Sequence, residues 1–156
     1  MKRTLFFAPL AAIAAATILS AATAGALPSA TGSGQSLSAG QLRSFSFSAN
    51  RLPDGTARGE AQINARSLDA FAHIAIDCLQ ITGNVAHMSG TVVHTSDPTV
   101  FGLNEYVHFA VQDNGEGAAA PPDKISGIPP DDPSRCDESA PPGLTKTVVR
   151  GNVQVR

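Results

Sequence analysis

Tryptophan is missing from this 156-residue chain, tyrosine occurs once, at Tyr106, and cysteine occurs twice. Binding clefts for carbohydrate or peptide usually recruit Trp and Tyr, so the shortage argues against a lectin-like cleft. The five phenylalanines beyond residue 26 read mainly as core. Catalytic signatures are missing too: no G-x-S-x-G elbow, no H-x-H and no H-E-x-x-H spacing occurs. Past residue 26 no segment keeps a helical period, and internal repeats and heptads are absent.

What is present begins with an export signal. Lys2 and Arg3 precede an apolar run from Leu5 to Leu19 and a small-residue stretch, Ala21 to Ala26, the layout of a secretory signal peptide. Fifteen residues fall short of the roughly 20 that a membrane-spanning helix needs. Cleavage is expected after Ala24 or Ala26, making 1–26 a leader and the mature chain secreted or otherwise extracytoplasmic, with no membrane insertion after cleavage. The leader takes Lys2 and Arg3 with it, leaving nine basic against thirteen acidic residues, a formal charge of −4. That balance leaves no footprint for nucleic acid or an anionic membrane surface.

About 130 mature residues fit one domain with a modest core. In an oxidising compartment the two cysteines, Cys78 and Cys136, are expected to pair. Closing a loop of 58 residues would stabilise the fold by about 4 kcal/mol in the chain-entropy picture.

The pattern along the chain is β throughout. Residues 27–41 are Ser, Gly and Ala with few apolar anchors, which reads as a flexible lead-in. From 42 to 156 runs a secreted β-domain. Phe45 and Phe47 alternate with serines over Arg43–Asn50, and the turn Pro53-Asp54-Gly55 leads into Thr56–Arg66. Ala70–Ile81 and Val85–His94 form a hairpin about Gly83-Asn84. Its register puts Ile74 and Ile76 on the wrong face unless a bulge sits near Asp77-Cys78. Glu105–Gln112 and Lys146–Val155 alternate as strands, and Lys124–Ile128 reads as a short edge strand. Residues 118–145 hold seven of the eleven prolines and read as an irregular surface loop. The expectation is an all-β, antiparallel sandwich or small barrel of six to seven strands with one disulfide.

These features resemble a group of small secreted bacterial proteins without assigned function. The residues that carry the likeness are D-C-L-Q-I-T-G-N (Asp77–Asn84), D-N-G-E-G (Asp113–Gly117), P-P-D (Pro121–Asp123), Cys136 and G-N-V-Q-V-R (Gly151–Arg156). The resemblance implies an exported β-domain with a bridge between these two cysteines. It brings no catalytic residue.

Two polar groupings are candidate sites. Asp113, Asn114 and Glu116, with Asp123 nearby, offer the hard oxygens that Ca²⁺ takes, although their order does not fit an EF-hand loop. A turn built on Asn114-Gly115 explains the same residues without metal. The histidines His73, His87, His94 and His108 are the residue type that binds zinc or copper, but with no ligand spacing they read as strand-surface residues. His73 and His94 would face each other in a regular hairpin, and the bulge is expected to separate them. The leading functional expectation is a non-enzymatic binding or structural module whose partner is an extracellular protein or envelope component. Its contact surface would be the acidic turn and the Pro-rich loop. The alternatives are a hydrolase built on Asp113, Glu116 and Asp123, and an inhibitor-like protein presenting the Pro-rich loop.

Overall fold

The structure, a computed structural model, describes residues 26–117, 119–130 and 143–156. The expected signal peptide, apart from Ala26, lies outside the described residues, as do Cys136 and the centre of the Pro-rich loop.

Eight strands follow one another: β1 (Ser29–Ser38), β2 (Gln41–Arg51), β3 (Ala57–Ala65), β4 (Ala70–Thr82), β5 (Val85–Thr95), β6 (Tyr106–Gln112), β7 (Lys124–Ile125) and β8 (Lys146–Val155). Each pairs antiparallel with the next, and β8 returns to β1, so the sheet closes into a barrel. The all-β, antiparallel expectation holds. The count of six to seven strands does not, and closure leaves no sandwich.

The extra strand is β1, where a flexible lead-in was expected. Small residues do not bury surface by themselves, but here they receive it. Gly32 and Gly34 lie opposite Phe47 and Phe45, and a Cβ on Gly32 would stand 2.7 Å from Phe47 Cζ. The missing side chains make room for the rings, while β2 and β8 pair with β1 from either side. Phe45 stacks on Phe47 at 6.2 Å, and Phe47 meets Phe109 of β6 edge-on at 6.0 Å. With Ile63, Ile74, Ile76, Leu79, Met88 and Val153 these rings fill the interior, as eight strands allow.

The β4–β5 hairpin carries two bulges rather than one. Its register shifts between Cys78 and Ile76, where Asp77 is the extra residue, and shifts back between Ile74 and His73, where Val93 is the extra residue on β5. The first shift is the expected bulge, and it lets Leu79 and Ile76 both enter the core. The second cancels it, so His73 does face His94, against the expected separation.

β7 is shorter than the expected edge strand and is no edge, since it pairs with β6 on one side and β8 on the other. Beyond it residues 126–130 stay against β6: Ser126 N–H donates to the Ala110 carbonyl at 2.9 Å and His108 N–H to that of Pro129 at 3.1 Å. The described start of the Pro-rich loop is therefore hydrogen-bonded rather than free-running. No free thiol occurs among the described residues. Cys78 is buried beside Ser89 on the outer side of the wall, while its expected partner, Cys136, lies outside the described residues.

Candidate functional site

With β7 two residues long, most of β8 has no strand beside it on the β6 side among the described residues. Backbone N–H groups left unpaired there would each cost stability. The acidic cluster meets this need. Val148 N–H donates to the Asp123 carbonyl at 2.9 Å, Val153 N–H to Asp123 Oδ2 at 2.8 Å, and Val155 N–H to Asp113 Oδ2 at 3.0 Å. Two carboxylates thus stand where a neighbouring strand would place carbonyls, and bonds to a charged acceptor are the stronger kind.

The remaining oxygens are also engaged. Asp123 Oδ1 accepts from Asn114 N–H at 2.9 Å, and Asp113 Oδ1 accepts from Gly115 N–H at 2.8 Å. Asn114 Nδ2 donates to the Pro122 carbonyl at 2.8 Å, and Asn84 Nδ2 to that of Asp113 at 2.6 Å. Asp123 is 7% exposed. Glu116 differs, being exposed, with Oε1 accepting from Gln154 Nε2 at 3.0 Å and Asn152 Nδ2 at 3.3 Å. The structure therefore brings Asp113, Asn114, Glu116 and Asp123 to one corner, but aims the two aspartates at amide hydrogens.

A polar depression of about 220 Å³ lies over this corner, lined by Glu116, Pro121, Pro122, Asp123, Gly151 and Asn152. A cation entering it would share the aspartate oxygens with the backbone N–H donors they already accept from. Among the described residues no group of three or more His, Cys, Asp or Glu is placed to hold a metal. Millimolar Ca²⁺, or chelator, is accordingly expected to leave the melting temperature unchanged within about 1 °C. A rise that Asp123→Asn abolishes would restore the calcium reading.

The histidines form two pairs rather than one cluster. His94, opposite His73, lies 5.3 Å from the Phe71 ring. On the other pair of strands His87 and His108 are diagonal neighbours, each one row from its direct partner. Burial, and then the charge of His108, push His87 below its ordinary value of 6.5. A base so depressed binds fewer protons folded than unfolded in mildly acid solution. Its contribution is full above about pH 6.5 and is lost as pH falls below that. Urea midpoints should decline between about pH 7 and pH 5, and His87→Gln should flatten that decline. An identical decline in the variant would show that other groups set it.

A feature missed by the sequence reading lies on the outer wall. Ser44, Ser46 and Ser48 of β2 pair directly with Asn64, Gln62 and Glu60 of β3. Short serines floor a groove that the longer β3 side chains overlook. Two depressions, about 210 and 170 Å³, share Ser46 and Gln62 and so run end to end, with Phe71 at one limit. The serine alternation was visible in the sequence; which strand would flank it was not.

No protein-family model matches this chain, and neither a curated protein nor a solved structure is found similar to it.

Proposed function

We propose that the chain is an exported, non-enzymatic β-barrel module that binds an envelope component along the β2–β3 groove. The observation that carries this reading is the use of the acidic corner. A hydrolase working with two carboxylates needs both free to exchange protons or attack substrate. Asp113 and Asp123 each accept backbone amides at both oxygens, and Glu116 is the most exposed of the three. The groove supplies a row of hydroxyl and amide donors and acceptors with Glu60 at one end, suited to an extended polar chain rather than a compact ligand.

Export also sets the redox state of the fold, and the Cys78–Cys136 bridge belongs to this reading. The mature protein should weigh two hydrogens less than its dithiol form and resist alkylation until reduced. For the binding itself, immobilised mature chain should retain polymer from the producing cell's surface, and Ser46→Arg, which fills the groove, should retain at least tenfold less. Equal retention by both would overturn the groove assignment. Hydrolysis of ester or glycoside substrates that Glu116→Gln abolishes would overturn the non-enzymatic reading.

A further inference from the structure

At the barrel end away from the acidic corner, two cations face inward together. Arg43 precedes Phe45 by two residues on β2, and Lys146 precedes Val148 by two on β8, so strand alternation turns both toward the side occupied by core residues. They line one pocket with Ser36, Ser44, Ser126 and Ile128. Arg43 Nε is buried with no hydrogen-bond partner among the described residues, and Lys146 Nζ reaches the Ser126 carbonyl at 3.2 Å. Among the described residues no carboxylate lines this pocket, and Asp123, the described acid nearest Ser126 in sequence, has its carboxylate committed to Asn114 and Val153. Burying like charges side by side is costly unless an opposite charge joins them.

We propose that this barrel end binds the phosphate group of a ligand, free or carried by a lipid head. A guanidinium fork beside an ammonium suits the several oxygens of a tetrahedral anion, and the Ser36 hydroxyl adds a neutral donor. Burial and the Arg43 charge together hold Lys146 below its usual 10.5, the direction expected of a cation with no carboxylate beside it among the described residues. The pocket measures about 20 Å³, room for about one water-sized group. Oxygens of a terminal phosphate enter, then, and the rest of the ligand stays at the rim. The tip of the β1–β2 hairpin beside this end carries Leu37 and Leu42, which pair with each other on the face opposite Ser36 and Arg43 and are 44% and 48% exposed. Apolar side chains beside an anion site accommodate a lipid head as readily as a free ion.

The test compares melting of the mature chain in sodium phosphate and in sodium chloride at matched ionic strength. Phosphate at tenfold excess over its Kd should raise the wild-type midpoint by about 5 °C. The double substitution Arg43→Gln, Lys146→Gln should remove that rise. Arg43→Glu, which places a carboxylate beside Lys146, should melt higher than wild type in chloride and ignore phosphate. Should the double variant fail to fold, the Arg43 Nε–H resonance of the wild-type chain decides, shifting with phosphate and not with chloride. Cosedimentation with phosphatidylcholine vesicles containing phosphatidylglycerol separates the sources: binding there that Arg43→Gln abolishes assigns the phosphate to a lipid head, and a shift with free phosphate without vesicle binding assigns it to a soluble ligand. A wild-type chain that responds to neither, or a phosphate shift that survives in the double variant, overturns the site. The β2–β3 groove reading stands or falls separately, since Ser46→Arg leaves Arg43 and Lys146 in place.

Discussion

Asp123→Ala is expected to cost about 4 kcal/mol of stability, lowering the melting temperature by more than about 10 °C. The carboxylate is 7% exposed and takes two backbone hydrogen bonds, from Asn114 at 2.9 Å and Val153 at 2.8 Å. Hydrogen bonds to a charged partner are worth about 1.5–3 kcal/mol each, and truncation strands both donors. Asp123→Asn should be milder, about 2 kcal/mol, because an amide keeps one acceptor oxygen while turning an N–H toward the other donor. Chemical denaturation of the three proteins measures the order wild type, then Asn, then Ala. Equal stability of wild type and Ala would show that the β6–β8 seam closes without this side chain.

The second large effect falls on β8 where it passes β1. Gly151 has φ +111°, and a Cβ there would lie 2.0 Å from the Ser33 carbonyl oxygen and 2.4 Å from the Gly34 Cα. Both contacts are with backbone, which cannot swing aside as a side-chain tip can. Gly151→Ala therefore combines left-handed strain with a clash in the closing ladder, about 3 kcal/mol or more. Gly55→Ala is the comparison: its φ is +87° and nothing lies within 4 Å, so strain alone acts, about 1 kcal/mol. Thermal unfolding should separate the two by at least about 5 °C. Near-equal losses would mean that β1 and β8 part readily at this point.

How far the fold can be read from the residues depends on which residue supplies the burial. β2 announces itself because its own Phe45 and Phe47 alternate with serines, and β6 because Val107, Phe109 and Val111 alternate with Tyr106, His108 and Ala110. β1 does not, because Gly32 and Gly34 contribute empty space that β2 fills; the hydrophobic signal for that contact is written on the other strand. The bulge at Asp77 follows from the local face conflict, whereas the cancelling one at Val93 leaves no trace in residue type. The acidic corner was legible as a turn, but its use was not. The amides that Asp123 and Asp113 accept belong to Val153 and Val155, 30 and 42 residues away, and an amide hydrogen carries no residue identity. Arg43 was legible in principle, since R-S-F-S-F places it in phase with two core phenylalanines.

If the two aspartates stand in for strand carbonyls along β8, amide hydrogen exchange at Val153 and Val155 reports it. Both amides should be protected in the wild-type chain to the level of neighbours with strand partners, with Val153 losing its protection in Asp123→Ala and Val155 losing its own in Asp113→Ala. Exchange of both amides at the free-peptide rate in folded wild-type protein would contradict the account.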